Sequence, residues 1–191
     1  MIMERDFIFG ATVWNLADFG SENRGEATPH INNKGILSGT REPKSVYYLY
    51  KSYLSNDPVI HFTCRNWLNR KDFADNGKNW KLSPIKIYSN LDSVELMHNG
   101  LSLGFKNVID HAVIWEVPLV NGKNRLIAKG NHNGELISDA AVINLDLLPE
   151  NLNKGFNNLA INVGSHCYFI DPNTNLVWMP DKNMNKANMV I

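Results

Sequence analysis

The sequence predicts a mainly β protein built around a seven-stranded sandwich, with one β–loop–α unit before it and a short β segment after it. Three observations carry this. Seven short runs rich in Val, Ile and aromatics crowd into residues 57–146, turns bearing Asn and Gly stand between several of them, and a helical repeat precedes them.

Residues 1–56 form the first segment. "DFIFGATVWNL" is a mostly apolar run, as expected of a strand buried on both faces. "GSENRGEATPHINNKG" is a long polar loop. "EPKSVYYLYKSYL" then reads as a helix, with Pro43 suited to its first position and Val46, Tyr47, Tyr50, Tyr53 and Leu54 on one side. It stops before Pro58, which biases Asp57 away from helical geometry. Such a unit is the repeat of a parallel α/β fold.

The second segment, 57–146, holds "PVIHFTC", "IKIYS", "VELMH", "LSLGF", "AVIWEV", "NRLIAKG" and "SDAAVINL". Asn99-Gly100, between "VELMH" and "LSLGF", is the strongest hairpin signal in the chain, because both turn positions tolerate positive φ. Seven short strands in about 90 residues match an immunoglobulin-like sandwich, with Trp115 as its buried core tryptophan. The stretch "RNWLNRKDFADNGKNWKLSP" is too long for a simple turn and is expected to reach toward a neighbouring domain. Trp67 and Trp80 flank it, suited to packing there or to contacting a sugar. The third segment, 155–191, reads as a strand, a turn at Asp171-Pro172-Asn173 and another strand, too little to form a core alone.

Composition narrows the function classes. The 191 residues carry 19 basic and 19 acidic side chains, so no net charge argues for nucleic acid or an anionic membrane as partner. The start "MIMERDFIFGATVW" lacks the form of a signal peptide, and no run approaches the roughly 18 apolar residues of a membrane span. A soluble chain without an export address is expected, its compartment unknown. Cys64 and Cys167 are far apart and lack metal-ligand spacing, so two unrelated thiols are expected and neither a metal nor a cofactor is implied.

Some residues can carry chemistry. Trp14 lies near the C-terminal end of the first predicted strand, where parallel α/β folds build their sites, with Asn15 and Asp18 following. An indole there can stack on a sugar ring. On local sequence alone, a core tryptophan with a capping aspartate is the plainer account. Asn32, Asn33 and Lys34 can grip a polar ligand, or form an Asn-rich turn with a solvated lysine. Asp18, Glu22, Glu26 and His30 sit largely in a loop and read as solvated charges rather than as the rigidly held carboxyl pair of a glycosidase. No Ser-His-Asp arrangement, phosphate-binding glycine loop or metal cluster is visible.

Together these stretches carry a resemblance. "FGATVWNLADFGSENRG" and "INNKGILSGTREPKSVYYLYKSYL" resemble the last strand, loop and helix of the (β/α)8 barrel in glycoside hydrolase family 2, which includes β-galactosidases and β-glucuronidases. "NDPVIHFTCRNW", "IKIYSNLDSVELMHNGLSLG" and "WEVPLVNGKNRLIAKG" are similar to the immunoglobulin-like domain that follows that barrel. "LAINVGSHCYFIDPNTNLVWMPDK" is similar to the opening strands of a malectin-like carbohydrate-binding domain, here incomplete. The resemblance implies residues 1–56 as the last β–α unit of a barrel, 57–146 as the sandwich and 155–191 as the truncated malectin-like part.

It implies further that Trp14 lies at the floor of the sugar subsite, joined to Asn15 by a cis peptide. Asn32 and Lys34 match the N-x-K positions that bind the sugar carboxylate in glucuronidases, although N-x-K-G also occurs in galactosidase-like members. The implied reaction is retaining hydrolysis of a β-glycoside, most simply a β-galactoside, through a glutamyl intermediate. The two catalytic glutamates of the family sit on earlier barrel strands, so no catalytic residue is assigned in this chain and the isolated chain is expected to be inactive. A β-linked oligosaccharide or glycoside is the implied partner, with self-association through the orphan barrel unit, whose strand and helix are expected to be less ordered than the sandwich. Full-length relatives are typically periplasmic or secreted. The alternative is a non-catalytic carbohydrate-binding or interaction module; a third reading is a truncated reading frame without function.

Overall fold

The computed structural model describes residues 5–22, 29–63, 65–148, 160–165, 168–174 and 176–181. Cys64, Cys167 and Glu26 lie outside them, so the expectations for the thiols and for that glutamate fall beyond the described structure.

The protein is mainly β, and its centre is a sandwich of two sheets. One sheet has three antiparallel strands: β3 (Ile60–Phe62), β5 (Trp80–Ser89) and β8 (Ala112–Val120), with β5 in the middle. The other runs in the order β4 (Asn69–Phe73), β10 (Glu135–Leu148), β9 (Gly122–His132), β6 (Ser93–His98) and β7 (Leu101–Asn107). Each of the seven predicted runs contributes a strand. The eighth, β4, corrects the count of seven: it lies within the stretch expected to be loop, and pairs parallel to β10 from Asn69↔Asn144 to Phe73↔Leu148.

The core follows from period-2 alternation. Val113, Trp115, Val117 and Leu119 of β8 and Ile85 and Ile87 of β5 face inward. They meet Val94, Leu96, Leu126, Ala128, Ile143 and Leu145 from the larger sheet. Trp115 is buried, as expected of the sandwich tryptophan, with Lys106 Nζ 4.8 Å from its ring centroid. Pro84 sits within β5 at a register where only β8 is paired alongside, because β3 reaches β5 only at Ile87–Ser89. One flank of β5 is open there, which is where a strand proline is tolerated. Asn99 and Gly100 close the β6–β7 hairpin at φ 49° and 87°, as their sequence predicts.

The first segment departs from expectation. Between Asp6 and Leu16 there is no strand, and the run is not buried: Phe7, Phe9, Trp14 and Leu16 are all more than 60% exposed. Apolar composition marks a segment that can be buried, but a strand also needs ladder partners. From Asp6 to Trp14 none of the described residues supplies them. Ahead of the helix, the regular structure among the described residues is a two-residue ladder between β1 (Phe19–Gly20) and β2 (Ile31–Asn32) and isolated bridges at Ala17–Leu37 and Leu37–Pro43.

The helix, α1 (Ser45–Leu54), is present but differs in two ways. Lys44 is its N-cap, so Pro43 stands outside it and bridges Leu37 instead. The predicted apolar stripe is not the buried one, since Val46, Tyr50 and Leu54 stay exposed while Ser52 is buried. The docked face instead uses aromatic stacking. Tyr48 lies flat on His61 with centroids 3.7 Å apart, and Tyr53 tilts over His111 at the same separation. Asn90 then ties the helix exit to the sandwich, accepting from Val59 N–H and donating to the Ser55 and Asp57 carbonyls.

The third segment is a small sheet of β11 (Ala160–Asn162), β12 (Phe169–Ile170) and β13 (Val177–Pro180), with β13 central. The predicted turn is present: Asp171 accepts from Asn173 N–H at 2.9 Å and from Thr174 Oγ1 at 2.7 Å. The "RNWLNRK…" stretch does reach this segment, through a Lys71–Tyr168 bridge and an edge-to-face contact of Phe73 with Tyr168.

Candidate functional site

The site begins with two backbone strips that the sequence holds side by side. Ile36 N–H donates to Asn15 O at 3.1 Å, Leu37 N–H to Leu16 O at 3.0 Å and Asp18 N–H to Leu37 O at 3.1 Å. The W-N-x-x-D strip is thereby laid against the K-G-I-L strip. Asp18 completes the clamp, accepting from Gly35 N–H at 2.9 Å and from Lys44 Nζ at 2.6 Å. Its partner lysine caps α1, so one carboxylate joins strip, loop and helix. Gly35 is required for that closeness, because a Cβ there would lie 2.3 Å from Asp18 N.

On this frame the three sequence-assigned residues take different positions. Trp14 is 71% exposed, its ring edge-to-face with Phe19 at 6.4 Å, so it is an open indole surface and not the core tryptophan of the local reading. The Trp14–Asn15 peptide is cis, as the resemblance implies. Asn15 Oδ1 is buried without a hydrogen-bond partner. Asn32 is buried, and its Oδ1 accepts the Lys34 N–H at 3.2 Å. That makes Asn32 the residue that shapes the loop, while Lys34 is exposed. Hydrogen bonds between the strips thus bring Asn15 and Leu16 beside Ile36 and Leu37, just after the loop of Asn32 and Lys34.

Of the acid/base candidates, Asp18 departs from the solvated charge expected of it: it is largely shielded and taken up by the Lys44 ion pair and the Gly35 N–H. Glu22 is exposed, and its carbonyl lies 3.0 Å from His30 Nδ1. No cluster of His, Cys, Asp and Glu suited to a metal ion occurs among the described residues. What remains is a surface that can bind a polar ring. The Asp18–Lys44 pairing escaped the sequence reading; the R-x-P-K string contained the lysine but gave no sign of its partner 26 residues earlier. A cleft of about 730 Å³ lies elsewhere, beside Trp67 and Tyr168, and local sequence gave no sign of it.

Comparison with known proteins agrees with this architecture. A family model described as a domain of unknown function, DUF4982, matches residues 81–138, the heart of the sandwich. A β-glucuronidase from Bacteroides fragilis is 30% identical over 129 residues, which are 65% of this chain and 17% of that protein. The β-galactosidase BoGH2A of Bacteroides ovatus is 30% identical over 150 residues, 74% of this chain and 16% of that protein. The crystal structure of a Bacteroides uniformis β-glucuronidase superimposes with a TM-score of 0.76 at 39% identity, covering 92% of this chain and 21% of that one. The chain thus spans about a fifth of the length of the relatives it matches. On these matches and on its sandwich-centred β fold, the chain is related over most of its length to a segment of the β-glucuronidases and β-galactosidases of glycoside hydrolase family 2.

Proposed function

We propose that the chain is the sugar-cradling and scaffolding segment of a retaining β-glycosidase whose catalytic carboxylates lie outside it. In this reading residues 1–56 are the last β–α unit of a barrel, 57–146 an immunoglobulin-like support and 155–191 the opening of a malectin-like domain. What supports it is the open Trp14 indole, next to Asn15 whose carbonyl takes the Ile36 N–H, in a frame where the Asp18 clamp holds the start of the following strip at Gly35. Trp14 stacks on the sugar, Lys34 meets a charged or polar substituent and Asn32 holds the loop in place.

The exposed apolar run from Phe7 to Leu16 supports the same reading, since it is suited to be covered by the remaining strands of a barrel or by a second copy. With the catalytic carboxylates outside the chain in this reading, the isolated chain binds and does not hydrolyse.

The sugar is a β-glucuronide in this proposal, because a lysine cation complements a carboxylate and two of the three relatives described above are named β-glucuronidases. The β-galactoside favoured on sequence is the second reading, supported by the Bacteroides ovatus relative. Titrating glucuronate and galactose against the intrinsic fluorescence of the chain separates them. Glucuronate is expected to bind more tightly, with the advantage abolished by Lys34→Met and all binding weakened by Trp14→Ala. Binding that is indifferent to both substitutions would refute the assignment.

A further inference from the structure

A second polar surface stands at the other side of the sandwich. β4 and β10 run parallel, with Asn69 opposite Asn144. The Asn144 Nδ2 group donates to Asn69 Oδ1 at 2.9 Å, which fixes both amides side by side on an exposed edge. Fixed in this way, the pair still offers the Asn69 NH₂ and the Asn144 carbonyl, a donor and an acceptor next to one another. Trp67 ends the short 3₁₀ turn just before β4 and is 38% exposed.

All three line the cleft of about 730 Å³, together with Asn162 and Tyr168 of the third segment and Asn121 of the β8–β9 turn. That volume lies in the range of small-molecule sites, roughly 300–1,000 Å³. Two of its cations are paired. Lys71 pairs with Asp146 at 3.1 Å and Arg65 pairs with Asp139. Arg70, on the same side of β4 as core residue Leu145 is of β10, is buried and donates through Nε to Trp67 O, while its Nη1 is buried without a hydrogen-bond partner among the described residues.

Aromatic plane, fixed amides and the paired Lys71 and Arg65 charges together suit an uncharged polyhydroxylated ring. We propose that this cleft binds a neutral oligosaccharide, with one pyranose face on the Trp67 indole and vicinal hydroxyls on the Asn69–Asn144 amide pair. The site is separate from the Trp14 surface and independent of the activity proposed above. Its role is to hold glycan while chemistry occurs elsewhere.

The test is calorimetric and fluorescence titration of the 191-residue chain with cello-, xylo- and galacto-oligosaccharides, with glucuronate as the charged control. Saturable binding of at least one neutral series is expected, weakened about tenfold or more by Trp67→Ala and by the exposed double variant Asn69→Ala/Asn144→Ala. Trp67→Phe should retain most of it, and Trp14→Ala should leave the binding of cello- and xylo-oligosaccharides unchanged, which separates this site from the glucuronide and galactoside surface proposed above. The double variant keeps the tryptophan, so it decides the matter if Trp67→Ala unfolds the protein. Absence of saturable binding in all neutral series overturns the proposal, as does binding unaffected by the double variant or abolished by Trp14→Ala.

Discussion

The sandwich and the N-terminal unit have similarly apolar sequences and opposite fates. "AVIWEVPLV" becomes β8, with four side chains buried and β5 alongside; "DFIFGATVWNL" leaves its aromatics exposed and makes no ladder over its apolar length. The difference is one of partners. A strand is stabilised by the ladder and the face it covers, and the described chain contains both for β8 and neither for Phe7–Trp14. Where the N-terminal unit is ordered, polar clamps do the holding: Asp18 with Lys44 and Gly35, and Asn32 with the Lys34 amide.

This contrast can be broken most strongly in the core. Leu96→Ala removes a fully buried side chain and should cost about 2–5 kcal/mol, whereas Trp14→Ala should stay within about 0.5 kcal/mol. Urea unfolding followed by far-UV circular dichroism measures both, and comparable losses would mean that the N-terminal unit folds as part of the sandwich.

A smaller effect is expected at Asn124, fully buried where the chain crosses between sheets. Its Nδ2 serves the Val120, Gly122 and Ile143 carbonyls and its Oδ1 takes the Val120 N–H, with His98 Nε2 2.9 Å away. Asn124→Ala strands several of these groups and should cost about 1–3 kcal/mol. An unfolding midpoint unchanged by that substitution would show the crossing to be held by packing alone.

Acid should act on the joint between the two regions. His61, under Tyr48, has its pKa lowered from 6.5 to about 4, first by burial and then by the Arg65 cation, with Asp139 opposing. The folded state therefore holds the neutral imidazole. Above pH 6.5 neither state is protonated and the joint has its full stability; between 6.5 and 4 the unfolded chain takes up a proton that the folded one refuses, and stability falls. His61→Gln should flatten that part of the profile in unfolding midpoints taken from pH 7 to 4. A wild-type profile already flat across the window would remove His61 from the joint.

The most local change is Gly35→Ala, whose methyl would press on the Asp18 backbone. Amide exchange at Asp18, Ile36 and Leu37 should quicken by roughly tenfold, the equivalent of one hydrogen bond of about 1 kcal/mol, with sandwich exchange unaltered. Acceleration spreading into β8 would show that the regions are coupled.

Much of the fold was legible, for identifiable reasons. The seven strand runs and the Asn99-Gly100 hairpin are written in local chemistry: alternation, β-branched residues and turn residues that accept positive φ. β4 was not, because "NRKDF" is polar and its partner lies 75 residues away in β10, across a parallel pairing that leaves no local trace. Its inward-facing Arg70 is a mark of edge strands and hides the hydrophobic alternation. The helix stripe misled because periodicity locates apolar residues, not neighbours; α1 docks through Tyr48 and Tyr53 stacking on histidines. At the candidate site, Trp14, Asn32 and Lys34 stood out through the family motif alone. Their arrangement depends on Asp18 bonds that span 17 and 26 residues, beyond the reach of spacing.

The most direct test of the account is turnover. The purified chain, freed of host glycosidases, is incubated with aryl β-glucuronide and aryl β-galactoside while sugar binding is followed in the same preparation. The account predicts binding that depends on Trp14 and no release of the aryl group above buffer. Release that co-purifies with the chain and is abolished by substituting one of its own carboxylates would contradict it.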